Sequence, residues 1–168
     1  MTEKRNPLNR RNFLSSLGLG AAAVLFAAKT ALAEVVERLD LSEEEWQRRL
    51  TPEQFRVLRQ DGTERAFTSP LDKEKRQGVY HCAGCDLPLF TSEMKFASGT
   101  GWPSFYDALP GHVETKTDYK LFLPRTEYHC ARCGGHQGHV FKDGPKPTGL
   151  RYCNNGVALR FQPEGKSP

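Results

Sequence analysis

The chain of 168 residues lacks a long apolar stretch. The uncharged run Phe13–Ala28 has 16 residues and is rich in Gly, Ala and Ser, short of the ~20 apolar residues of a membrane-spanning helix. A charge excess is missing from everything after the first 33 residues. The whole chain carries 24 basic and 20 acidic residues; Lys4, Arg5, Arg10, Arg11 and Lys29 against Glu3 alone precede Glu34, which leaves 19 of each sign. A neutral remainder offers no general basic footprint, so no nucleic-acid partner is expected. Repeats are absent apart from two cysteine pairs, and no composition shift divides residues 34–168, so one domain is expected there. Uninterrupted elements are missing after Gly62. Pro70, Gly78, Gly84, Pro88, Gly99, Gly101, Pro103, Pro110 and Gly111 recur too often for anything but short strands and turns.

What the N-terminus does contain is a basic start, the uncharged run and Ala31-Leu32-Ala33 before Glu34. This is the make-up of a secretory signal with an A-x-A cleavage site. Arg10-Arg11 followed by Phe13-Leu14 resembles the twin-arginine type, read by the Tat machinery that exports folded proteins. Residues 1–33 are therefore expected to be a twin-arginine-type signal, with the working part in the periplasm; an uncleaved anchor helix is the alternative.

Residues 42–60 read as helical. Ser42 and Glu45 form a capping box, and Thr51-Pro52 starts a second segment that stops at Asp61-Gly62. Trp46, Leu50, Phe55 and Leu58 form an apolar stripe for a core. Strands are expected at Val79–His81, Leu87–Phe90, Tyr119–Leu123, Thr126–Cys130, His139–Phe141 and Gly156–Phe161, the last with Val157, Leu159 and Phe161 on one face. The fold expected from these signals is mainly antiparallel β with N-terminal helices.

Cys82 and Cys85 form C-A-G-C, and Cys130 and Cys133 form C-A-R-C-G-G. Two C-x-x-C knuckles complete a tetrahedral tetrathiolate site, closed and structural. Disulfides are the alternative in an exported protein, but two redox C-x-x-C motifs without a thioredoxin-like βαβ pattern would be unusual. Cys153 is left over. Arg151, two residues before it, lies on the same side if the segment is a strand, and a guanidinium favours the nucleophilic thiolate. A buried inert cysteine is the competing reading. His136 and His139 in G-G-H-Q-G-H suit proton transfer. Trp102 and Phe105, in S-G-T-G-W-P-S-F, either plug the core or wall a small apolar site.

Taken together, "CAGC…SGTGWPSFY…RTEYHCARCGGHQGHVFKDGPKPTGLRYCNNGVALRF" resembles methionine sulfoxide reductase B over about residues 43–162. The resemblance implies two antiparallel β-sheets with peripheral helices and one structural zinc on Cys82, Cys85, Cys130 and Cys133. It also implies reduction of methionine R-sulfoxide, free or in oxidised proteins, with Cys153 as nucleophile. The family's substrate-site residues fall on Trp102, His136, His139, Arg151 and Asn155, with Asp143 nearby; Phe105 is counted with Trp102 as a substrate wall. Relatives often carry a resolving cysteine where this chain has Thr100. The Cys153 sulfenic acid is then expected to need an external reductant, a thioredoxin-like protein or a small-molecule thiol. The segment K-T-D-Y-K-L-F-L-P-R-T-E lacks a histidine found in some relatives, and H-Q-G replaces the more frequent H-L-G.

Overall fold

The computed structural model describes residues 36–119 and 123–165. The expected signal, residues 1–33, lies outside them. Helix α1 (Glu43–Arg49) starts where its capping box closes both ways. The Ser42 hydroxyl accepts from the Glu45 amide at 3.3 Å, and the Glu45 carboxylate accepts from the Ser42 amide at 2.9 Å. Helix α2 (Pro52–Gln60) repeats the device with Thr51 and Gln54 and ends at Asp61, in left-handed geometry with φ 49°. Acidic first turns and basic last turns complement both helix dipoles. Trp46, Leu50, Phe55, Val57 and Leu58 are buried, so the expected stripe exists. Among the described residues, no helix is long and apolar enough to cross a membrane.

The strands follow as β1 (Gly78–Cys82), β2 (Pro88–Thr91), β3 (Lys95–Phe96), β4 (Ser104–Phe105), β5 (Val113–Asp118), β6 (Arg125–Cys130), β7 (His136–Phe141), β8 (Arg151–Asn154) and β9 (Leu159–Pro163). They form a three-stranded sheet, β2-β1-β9, and a six-stranded sheet, β3-β4-β8-β7-β6-β5. All pairings are antiparallel. Rings from both sheets meet in the core. Phe90 of the small sheet stacks on Phe105 of the large one, centroids 4.1 Å apart and planes at 7°, and Tyr80 meets Phe105 edge-on at 4.9 Å. Tyr128 adds edge contacts with Phe90 and Tyr152.

The expected strand Tyr119–Leu123 runs through residues 120–122, which lie outside the described residues; the described strand before it is β5, which pairs with β6 from Val113↔Cys130 to Asp118↔Arg125. Glu114, Thr115, Lys116 and Thr117 are all exposed on this edge strand, so it has no apolar alternation to detect. Tyr119 and Leu123 are 77% and 74% exposed. The expected strand from Gly156 begins only at Leu159, because residues 156–158 form a 3₁₀ turn. The Glu64 carboxylate takes the amides of Gly156 (2.6 Å) and Val157 (2.9 Å), which are thereby lost to a ladder.

Phe105, expected as a substrate wall, is fully buried in the inter-sheet stack. Phe105→Ala is expected to lower unfolding free energy by about 3–5 kcal/mol in chemical denaturation. A change in substrate affinity without that loss would contradict its core role.

Candidate active site and thiolate cluster

Each cysteine knuckle is a tight turn at a strand end. Cys82 closes β1; the Asp86 amide bonds back to the Cys82 carbonyl at 2.9 Å, and Asp86 itself is left-handed at φ 64°. Cys130 closes β6, and the Gly134 amide bonds back to its carbonyl at 2.8 Å. Gly134 has φ 67°, a conformation that glycine adopts without strain. The four sulfurs lie within 4.8 Å of one another. Cys82 and Cys133 are 3.7 Å apart, and Cys85 and Cys130 are 3.5 Å apart. A tetrahedral ion with ~2.3 Å metal–sulfur bonds needs sulfurs roughly 3.8 Å apart, whereas a disulfide needs ~2.05 Å. The cysteines are free, and the donor set fits a metal ion.

Cys153 sits on β8, the strand between β4 and β7, opposite Ser104 on one side and His139 on the other. A Cβ on Gly138 would overlap the Cys153 carbonyl oxygen, so only glycine permits β7 to approach this closely. The thiol is half-buried and lines a cavity of about 130 Å³ with Trp102, His139, Asn155, Arg125 and Phe141. A larger cleft of about 530 Å³ opens beyond the 156–158 turn, lined by groups such as Glu53, Glu64, Thr68 and Arg76 and by no cysteine or histidine. The candidate cysteine and histidine both line the smaller cavity.

Arg151 follows the strand alternation and lies beside Cys153. Its guanidinium binds the Asp143 carboxylate through two bonds, at 2.8 and 2.9 Å, and covers the Phe141 ring at 4.3 Å. Both partners fix its plane, while Arg151 holds the Asp143 carboxyl below its usual range. Burial pushes the Cys153 thiol above its ordinary value. The Arg151 charge, with hydrogen bonds from Thr100 and Arg151, offsets part of that rise. Desolvation therefore wins in the resting site. Thr100 ends a chain of hydroxyls: Ser98 lies 2.8 Å from Thr100 and 2.7 Å from Ser104.

His139 faces the cavity, with Nε2 2.8 Å from the Asp118 carboxylate, which also binds Arg125 at 2.6 Å. Burial lowers its pKa, against the pull of Asp118, so the ring is neutral at pH 7. Trp102 donates its indole N–H to the Glu64 carbonyl at 3.3 Å. Asn155 is pinned at both ends: Oδ1 accepts from the Glu64 amide at 3.0 Å, and Nδ2 donates to the Gln137 carbonyl at 3.0 Å.

Four expected site residues are not in the cavity lining: Arg151, described above beside Cys153, and three more. His136 is 2% exposed, bound to Glu127 at 2.9 Å, with its ring behind that of His139 at 5.5 Å between centroids. Asp143 acts on Arg151 from outside. Phe105 is core. Conversely, Glu64, Asp118 and Arg125 carry no periodic or motif signal, and only their contacts reveal them. Glu64 is the most connected, because it anchors Trp102, Asn155 and the 156–158 turn together.

Because burial raises the Cys153 pKa, its thiolate fraction at pH 7 is below that of a free thiol and grows with alkalinity. Iodoacetamide labelling should accelerate up to and beyond pH 9. Arg151→Met removes a charge and a hydrogen bond that favour thiolate, so its profile should move further alkaline and its rate at pH 8 fall. A profile levelling below pH 8 would contradict the burial effect.

The SelR domain family matches residues 50–163, a span containing every residue of the cavity and the cluster. The chain is 56% identical over 130 residues to "Peptide methionine sulfoxide reductase B1, chloroplastic" of Arabidopsis thaliana, covering 77% of this chain and 64% of that protein. It therefore spans less than two thirds of the plant relative's length. It is 56% identical over 127 residues to "Peptide methionine sulfoxide reductase MsrB" of Methanosarcina barkeri, covering 75% of this chain and 89% of that one. The Pseudomonas putida protein of the same name is 53% identical over 129 residues, covering 76% and 97%. With its four-cysteine cluster and two antiparallel sheets, this chain belongs to the SelR domain family, that of the MsrB peptide methionine sulfoxide reductases.

Proposed function

We propose that the chain reduces methionine R-sulfoxide, free or in oxidised proteins, using Cys153 as nucleophile and an external thiol as reductant. The observation that carries this reading is Cys153 in a small cavity walled by Trp102, with the His139–Asp118 pair facing it. The cavity volume of about 130 Å³ suits the tip of one side chain rather than a larger ligand, for which ~300 Å³ is typical.

The substrate's methyl group rests against Trp102, and the sulfoxide oxygen faces His139. The Cys153 thiolate, stabilised by Arg151 and Thr100, attacks the sulfoxide sulfur while a proton reaches the oxygen through His139. Oxygen ends on the Cys153 sulfur as sulfenic acid, and methionine leaves reduced by two electrons. Two equivalents of external thiol return Cys153 to the thiol, yielding a disulfide and water. Asn155 shapes the wall, and Asp143 sets the Arg151 plane. His136, with Glu127, supports His139 from behind. The other four of the five cysteines sit in the cluster, so Cys153 has no spare partner within the chain.

The cluster is read as a zinc site, which supplies structural cross-linking and takes no part in the reaction. Export by the twin-arginine route to the periplasm is supported by Arg10-Arg11, the uncharged run and Ala31-Leu32-Ala33, which also makes residues 34–168 the mature domain. A folded export route would let the thiolates acquire their ion before meeting an oxidising compartment.

With dithiothreitol, the protein should reduce the R epimer of methionine sulfoxide and leave the S epimer untouched. Cys153→Ser should lose at least about a thousandfold in rate, and His139→Asn about 10²–10⁴-fold. Activity on the S epimer alone, or activity surviving in Cys153→Ser, would overturn the reading. Thr100 lies within hydrogen-bond reach of the Cys153 sulfur, so Thr100→Cys should trap a disulfide between positions 100 and 153 after one turnover, detectable by mass spectrometry. Unmodified protein should show none.

A further inference from the structure

Gln137 is fully buried on β7, between the two candidate histidines' positions, and neither the proposed reaction nor the four-cysteine set uses its side chain. Its Nε2 lies 3.3 Å from Cys82 Sγ, and its Oε1 lies 3.4 Å from Asn154 Nδ2. The identity of the two ends follows from their neighbours. Asn154 Nδ2 also donates to the Asn155 carbonyl at 2.7 Å. A carbonyl only accepts, so that end of Asn154 is its amino group. Asn154 Oδ1 correspondingly accepts from the Tyr128 hydroxyl at 2.6 Å. Gln137 must then offer its oxygen to Asn154, and its amino group is left facing the sulfur. An amino group donates, so Cys82 accepts, as a metal-bound thiolate does.

We propose that Gln137 is a side-chain hydrogen-bond donor to the thiolate cluster from outside it: held in one orientation by Asn154, it stabilises the Cys82 thiolate as a metal ligand. The inference rests on the reading of the cluster as a metal site. Physically, an N–H directed at a ligand sulfur withdraws charge from it. That makes the thiolate less basic toward protons and less exposed to oxidation, and orients its lone pairs. In a fully buried position the amide has no water to replace the sulfur, so its donor is satisfied there or nowhere. The same residue's carbonyl accepts from the Asn155 amide at 2.9 Å, so one position on β7 touches both the cluster and the segment after Cys153.

The test compares wild type, Gln137→Leu and Asn154→Ala after loading with cobalt(II) or zinc. Gln137→Leu keeps the shape and removes the donor. Zinc release to a chromogenic chelator should be about tenfold faster or more. The sulfur-to-cobalt charge-transfer band should move to longer wavelength, because a sulfur without its donor gives up an electron more easily. Asn154→Ala, whose side chain bonds Tyr128, Gln137 and the Asn155 carbonyl rather than a cluster cysteine, should also speed release by a few-fold, because Gln137 loses the partner that orients it. Release and band unchanged in Gln137→Leu would overturn the inference. Should Gln137→Leu fail to fold, cadmium-113-loaded wild type decides: scalar coupling between the metal and the Gln137 side-chain amide protons supports the proposal, and its absence overturns it. A wild-type protein that shows no tetrathiolate cobalt band would overturn the metal reading itself, with the Gln137 inference falling in consequence.

Discussion

Cys82 and Cys85 come from the end of the three-stranded sheet, and Cys130 and Cys133 from the end of the six-stranded one. The two sheets share no strand, so the convergence of these four sulfurs ties together parts of the chain that backbone hydrogen bonding leaves separate. The aromatic stack of Phe90 on Phe105 joins the sheets through their middle; the sulfurs join them at one end. Everything at the cavity hangs on the second sheet keeping its register. β7 carries His139 and Gly138, β8 carries Cys153, and Gly138 lets the two backbones meet without a side chain between them.

The electrostatics around Cys153 balance burial against one cation. A thiolate in a half-buried pocket loses water on several sides, and Arg151 restores part of that solvation. Arg151 is itself neutralised in part by Asp143, whose like charge raises the thiol pKa. The site thus holds the Cys153 thiol mostly protonated at neutral pH, and under the proposed reaction a bound substrate supplies the further reason to ionise. His139 is poised in the complementary sense. Its ring is neutral at rest but paired with Asp118, which would support a positive charge when one develops.

The parts of this arrangement legible in sequence are those with a short-range chemical grammar. Ser42/Glu45 and Thr51/Gln54 place helix starts because a cap satisfies amides three residues away. C-x-x-C places thiolates because two cysteines at that spacing share one turn. The solitary Cys153 stands out by arithmetic, and Arg151 by strand alternation. What escaped was long-range or purely polar. Glu64 reaches Gly156 across 92 positions, and no local pattern announces it. β5 escaped because an edge strand needs no apolar face. Phe105 and Trp102 were indistinguishable on the page of sequence. Only packing separates a ring held between two sheets from one that fronts a cavity.

The size of the cavity sets what kind of recognition is available. About 130 Å³ admits a methyl, a sulfur, an oxygen and the adjoining methylene, roughly four heavy atoms. Even at the best ligand efficiency of ~1.5 kcal/mol per atom, these yield about 6 kcal/mol, a dissociation constant of tens of micromolar. Under the proposed reaction such a pocket reads handedness at sulfur and little else. On that proposal it is a generalist, indifferent to which protein presents the damaged side chain, with a grip modest enough to let the repaired one go.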